Sequence, residues 1–296
     1  MNSINHHYIP QLYLKGFTAS NGKLQVFDKS FNNFKKDKQT PKTVFFIKHK
    51  NTIKFNGILT DKIEKIYNNL ESPFGDLFDL IKKGITNNEL IFKEGIYLLK
   101  LFIAIQFFRM PLLDDFAENF IKNIDLSKFG ERITIGGIPI GNIESIRKLI
   151  ETDKGFRHYF RCFILPIIMF DCQVHEHDYK NWKLHTVSDE FSHWDNILIG
   201  DNPFIVENIA DIFAFNTKLI FPLSKTQIVT YTPNSSKSID LPAIFSTKLS
   251  MLMYAQSQRH LAGANRDYMQ QIITLYKEVY GNDGNAELQK ELFEYL

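Results

Sequence analysis

The chain has 296 residues, 44% of them hydrophobic and 23% charged, enough to bury a sizeable core with the composition of an ordinary soluble globular protein. It lacks the run of about 18 apolar residues that a membrane helix needs, and the N-terminus lacks the basic-then-apolar pattern of a signal peptide. The net charge of +2 conceals an asymmetry, because residues 1–60 hold ten lysines against Asp28 and Asp37, a balance of +8 that leaves −6 elsewhere.

In chain order, residues 8–17 (YIPQLYLKGF) read as a short helix with Pro10 in its first turn. NGKLQVFDK alternates after an Asn-Gly turn and predicts a strand, and VFFIKH and TIKF predict one or two more. From Thr60 the period becomes helical, with Ile63, Ile66, Tyr67 and Leu70 on one stripe, and Ser72-Pro73 is expected to bend or restart the helix before Phe74–Ile81. A long, mostly buried helix ends before Pro111, another covers about 113–124, and RITIGGIPIGN predicts a small hairpin or loop. Residues 142–178 read as helix in two pieces. This places Cys162 and Cys172 in one helix about 15 Å apart, too far for a disulfide, and a reducing, cytoplasmic setting is the expectation. WKLHTVS, NILIGDNPFIV, KLIFPLS and QIVTYT are strand-like, and helices over 243–259, 265–280 and 286–295 close the chain. The pattern predicts a single α+β domain over 1–296. Its mixed or antiparallel sheet joins N- and C-terminal strands, with a large helical block inserted at about 60–178.

Several groups of residues could carry chemistry. His6 and His7 open the chain beside Gln11; a histidine there is either an acid–base or anion-binding group or a packed side chain that pins the terminus. Glu64 and Glu71 are two helical turns apart and share a face, as a metal-binding or acid–base pair would, although such spacing is common on solvated surfaces. Gln106 and Arg109 lie at i and i+3 on the last turn of an apolar helix, where Arg109 either caps carbonyls or clamps a carboxylate or phosphate. Asp201 leaves an apolar strand at Gly-Asp-Asn-Pro, a place for a catalytic or metal-binding carboxylate and equally for a turn. Cys172, His175, His177 and His185 match no zinc pattern. In Gln256-Ser257-Gln258-Arg259-His260, the last two residues suit a helix C-terminus. No nucleophile elbow, phosphate-binding glycine loop or dinucleotide fingerprint occurs.

HHYIPQLYLKGF, QFFRMP, GDNPF and FPLS, in this order and with weaker support from QSQRH, resemble the bacterial family known as domain of unknown function 4238. Gly16 departs from the usual Arg or Asn of that pattern, and Ile199-Gly200 from a Thr-Ser-like pair. The resemblance implies His6, His7, Gln11, Gln106, Arg109, Asp201 and Pro203 as motif positions and implies no activity; Glu71 comes from helix geometry alone. The expectation is a phosphate-directed hydrolase, in one form a metal-dependent nuclease, acting on an anionic substrate or nucleic acid and not on a membrane. In that scheme Glu71 and Asp201 hold Mg²⁺ or Mn²⁺ or activate water, His6 or His7 is the acid–base group, and Gln11, Gln106 and Arg109 bind substrate. The alternative is a non-enzymatic binding, sensor or effector module in phage defence or a toxin operon.

Overall fold

The computed structural model describes residues 4–55, 58–82, 93–127, 134–135, 138–139, 143–187, 197–234, 241–281 and 283–296. Strand β1 (Asn5–His7) leads into α1 (Gln11–Leu14), which a 3₁₀ turn extends to Phe17. Strands β2 (Gln25–Asp28), β3 (Asn33–Phe34), β4 (Phe46–Lys48), β5 (Ile53–Phe55) and β6 (Ile58–Thr60) precede helices α2 (Lys62–Lys82), α3 (Lys93–Arg109) and α4 (Asp114–Asn123). The short hairpin β7–β8 (Thr134–Ile135, Ile138–Pro139) separates these from α5 (Ile143–Thr152), α6 (Lys154–Tyr159), a π-turn and α7 (Leu165–Met169). After α8 (Asp178–Asn181) come β9 (Trp182–Thr186), β10 (Ile199–Gly200), β11 (Ile205–Val206), β12 (Leu219–Ser224) and β13 (Gln227–Tyr231). Helix α9 (Ala243–Gln256), β14 (His260–Gly263), α10 (Arg266–Val279) and α11 (Asn285–Glu294) complete the order.

Two four-stranded antiparallel sheets organise the chain. One runs β10-β14-β2-β3 and joins N-terminal to C-terminal strands, the α+β arrangement that the sequence predicts. The other, β11-β12-β13-β9, is built wholly from the C-terminal strands. NILIGDNPFIV serves both: Asp201-Asn202-Pro203 turns the chain so that β10 joins the first sheet and β11 the second. Gly200 lets β10 lie close to the end of α9, since a β-carbon there would meet Ser257 Oγ at 2.0 Å and the Met253 carbonyl at 3.1 Å.

The structure corrects some local expectations. Helix α2 runs through Pro73 with no restart. Pro73 and Asn69, whose carbonyl loses its partner, are exposed to water, while buried Tyr67, Phe74 and Phe78 anchor the helix. The helix over 142–178 ends at Met169, so Cys172 lies beyond the helix that carries Cys162; both cysteines are free. Residues 87–92 and Asn196, included in the sequence readings, lie outside the described residues. No single described helix is long and apolar enough to cross a membrane.

The core is strongly aromatic. Tyr13 is fully buried, stacks on Phe221 at 5.3 Å, meets Phe17, Phe78 and Phe102, and donates its hydroxyl hydrogen to the Pro222 carbonyl. It therefore ties α1 to α2, α3 and β12 in one contact set. Deeper in the helical block, Lys100 reaches Asp178 at 2.8 Å and the Gln173 carbonyl at 2.7 Å, with both charged side chains almost wholly buried. Lys100→Ala strands the Asp178 charge, and denaturant unfolding should show a loss of about 3–5 kcal/mol. The paired Lys100→Met, Asp178→Leu variant should recover most of that loss.

Candidate functional site

The site begins with the way the N-terminal strand is held. β1 pairs antiparallel with β4, His6 opposite Ile47 and His7 opposite Phe46, so strand alternation sends the two imidazoles to opposite faces. The last turn of α3 then grips the backbone of this strand and the residue after it. Arg109 Nε donates to the His7 carbonyl at 2.6 Å, and Gln106 Nε2 donates to the Tyr8 carbonyl at 2.8 Å. The Arg109 guanidinium also meets Glu71 at 3.3 Å and lies 4.1 Å over the Tyr67 ring. Arg161 in turn closes the end of α3, donating to the Phe108 and Met110 carbonyls at 2.8 Å each. Gln106 and Arg109 thus share a helix face as their spacing predicts, and what they hold is the peptide backbone of the opening motif.

His7 is buried, with Nε2 donating to the Lys42 carbonyl at 3.2 Å and Nδ1 accepting from Gln11 at 3.3 Å. Burial, with Arg109 beside it, pushes its pKa down to about 4, so the ring is neutral at pH 7. On the other face of β1, His6 Nδ1 accepts from the Asn51 amide at 2.7 Å. Asn51 passes the contact on: its side chain donates to Glu64 and accepts from His158 Nε2 at 3.0 Å. Burial, Arg161 and Lys50 hold His158 at about 4 as well. His6 and His7 are therefore internal hydrogen-bonding groups of the strand mount, which satisfies polar atoms that burial would otherwise leave stranded.

Asp201 lies in a different network. Its carboxylate accepts three backbone N–H groups, from Gln258 at 2.8 Å, Arg259 at 2.7 Å and His260 at 3.0 Å. Those bonds fix the turn between α9 and β14. Opposite in register to His260 is Asp28 of β2, and His260 Nε2 meets Asp28 Oδ2 at 3.2 Å while Arg259 Nε lies 3.5 Å from the same oxygen. Burial alone would raise the Asp28 carboxyl, but His260, the Ser30 amide and Arg259 outweigh it and hold it below its usual range. Burial, helped by Lys35, lowers His260 and favours the neutral ring, whose Nδ1 is buried without a hydrogen-bond partner among the described residues.

Asp201, Gln258, Arg259 and His260 line a cleft of about 170 Å³, together with Tyr8, Phe46, Ile47, Pro111, Leu112 and Asn202. Phe45 packs its ring between Tyr8 and His260, at 6.0 Å from each, and holds φ of +52° to do so. A bulky residue in the left-handed region costs of order 1–3 kcal/mol, the kind of strain that clusters at working sites. A larger cavity of about 260 Å³ beside α4 and α6 is lined by Asp114, Glu118, Lys154, Arg157, His158 and Arg161. There Asp114 is held by Arg161 and Lys50, and Glu118 by Lys122 and Arg157, so both of its carboxylates are already paired.

A family model described as protein of unknown function (DUF4238) matches residues 5–248. The chain belongs to that family. No curated protein and no solved structure matches it. The DUF4238 match includes Tyr8, Asp28 and Asp201 and ends inside α9, so the 258–260 turn that completes the cleft lies beyond it.

The sequence-predicted residues therefore divide between two places. His7, Gln11, Gln106, Arg109 and Glu71 come together around β1, with His6 on the strand's other face, and Asp201 builds the cleft turn. Glu71 and Asp201 do not fit a shared metal ion: one carboxylate pairs with Arg109, and both oxygens of the other accept backbone amides. Among the described residues no group of three or more His, Cys, Asp or Glu is arranged to hold a metal. In the second histidine cluster, His175 pairs with Asp171 at 2.8 Å and stacks on His177, while His185 meets Thr230. The Asp28–His260 pair was missed, because Asp28 reads only as a charge and His260 only as a helix end.

Arg109→Ala leaves the His7 carbonyl and Glu71 without their partner. It should cost about 2–5 kcal/mol in denaturant melts and raise amide exchange in β1 and β4 ahead of the rest of the chain. A second expectation concerns pH. An unfolded histidine titrates near 6.5, so between that value and about 4 the unfolded chain binds protons that folded His7 and His158 refuse. Stability therefore rises with pH through this window and is lost as pH falls from 6.5 towards 4. His158→Asn should flatten the melting temperature against pH over that range; an unchanged slope contradicts the assignment.

Proposed function

We propose that the chain is a phosphate-directed hydrolase that works in the Tyr8–Asp201–Arg259–His260 cleft, with acid–base groups other than those the sequence nominates. The observation that carries this reading is the Asp28–His260 contact at 3.2 Å, which orients an imidazole whose second nitrogen has no partner among the described residues. A neutral histidine held by a carboxylate is suited to take a proton from attacking water once substrate binding brings that water against its buried Nδ1, and Asp28 would stabilise the imidazolium that results. As the bond from phosphorus to the leaving oxygen breaks, His260 returns that proton to the leaving oxygen. Arg259, more than half exposed, supplies a guanidinium for the phosphoryl oxygens. The Tyr8 hydroxyl, which makes no hydrogen bond among the described residues and is kept protonated by burial and by Asp201, adds a donor.

A second reading, a non-enzymatic binding or effector module, is favoured by the two networks in which His7, Gln106, Arg109 and Asp201 serve the fold. Assays of the purified protein on p-nitrophenyl phosphate, its bis ester and nucleic acid, with and without Mg²⁺ or Mn²⁺, separate the two. Asp28→Asn and His260→Gln should each lower kcat about 10²–10⁴-fold, and Arg259→Ala should act mainly on KM. Activity should decline on the acid side as His260 takes up a proton. Folded protein that turns over none of these substrates, yet binds phosphate, supports the second reading.

A further inference from the structure

The anion site just proposed has a second half. Beside its polar residues the cleft is lined by Phe46, Ile47, Pro111 and Leu112, with Ile47 41% and Leu112 39% exposed. Exposed aliphatic side chains on the rim of a concave site are the usual seat for the apolar face of a ligand. The same lining includes two carboxamides, Asn202 and Gln258. Their backbones are engaged, Asn202 through its carbonyl to Gln256 and Gln258 through its amide to Asp201, but neither side chain makes a hydrogen bond among the described residues. A carboxamide presents a donor and an acceptor side by side, which matches the edge of a nucleobase and has little to offer a simple aliphatic phosphate.

We infer that the cleft takes a mononucleotide. The base lies against Ile47 and Leu112, its edge meets Asn202 and Gln258, and the phosphate lies at Arg259 and Tyr8. Size supports the same choice. At about 170 Å³ the cleft is smaller than the roughly 300–1,000 Å³ of sites that enclose drug-sized ligands. It suits one small ligand with part of its surface in solvent, and it has no room to enclose a strand of several nucleotides. The same choice gives the apolar and carboxamide side chains of the lining a use that a bare phosphate site would not need.

This inference rests on the anion reading of the previous section, and one titration separates their failures. Inorganic phosphate, ribose 5-phosphate, the four ribonucleoside monophosphates and a trinucleotide are titrated into the full chain by calorimetry. The inference expects at least one monophosphate to bind about tenfold or more tighter than ribose 5-phosphate. Gln258→Ala and Asn202→Ala, both at positions reached by solvent, should remove that advantage and leave binding of ribose 5-phosphate unchanged. Equal binding of ribose 5-phosphate and every monophosphate overturns the nucleotide and leaves the anion site standing. A trinucleotide that binds tenfold tighter than any monophosphate overturns the single-nucleotide occupant. Absence of binding by all of them, in protein with the wild-type melting temperature, overturns the anion reading itself.

Discussion

The contact on which the rest depends is the grip of Arg109 on the first strand. One guanidinium holds the His7 carbonyl, the Glu71 carboxylate and the face of Tyr67, while Gln106 one turn earlier holds the Tyr8 carbonyl. A three-residue strand gains little by itself from being ordered. Here a buried charged donor at the end of a buried helix makes the ordered β1 the state in which its own hydrogen bonds are met. The consequence is positional, since fixing the Tyr8 carbonyl fixes the residue whose side chain enters the cleft.

The cleft has a parallel construction on its other side. Asp201 gathers three consecutive amides, which makes the turn after α9 rigid and sets the register in which His260 meets Asp28. Lys29, next to Asp28, reaches back to the carbonyls of Tyr254, Ala255 and Ser257 at the end of α9 and closes that helix. Arg109 fixes the strand that leads into Tyr8, and Asp201 fixes the amides of Gln258, Arg259 and His260, all of which line the cleft.

What could be read from the sequence was what local pattern controls. The period change at Thr60, the amphipathic helices and the strand-like composition of β9, β12 and β13 arise from neighbours in the chain. Gln106 and Arg109 were legible as polar groups that need partners, but the partners are carbonyls about a hundred positions away. β14 was not legible at all. The segment YAQSQRHLAG follows a helix with residues that suit a helix end, and its four strand residues are defined by β2 and β10. The Asp28–His260 pair spans 232 positions, so no window of sequence contains it. His6 and His7 drew attention as chemistry because histidines near a terminus are rarely buried; only the packing of β4, Asn51 and His158 around them reveals their structural use.

The place of β14 between β10 and β2 bears on how the protein is made. During synthesis β2 leaves the ribosome long before β14, so apart from the two-residue β3 its sheet partner arrives only with residues 260–263. Until then its inner edge is unpaired, and sheets closed by such distant strands form slowly and expose edges that invite wrong pairing. The lysines concentrated in residues 1–60 then have a use before folding is complete. Like charges flanking an unpaired strand discourage two nascent chains from joining edge to edge, so the basic segment can act as a guard on the waiting half of the sheet.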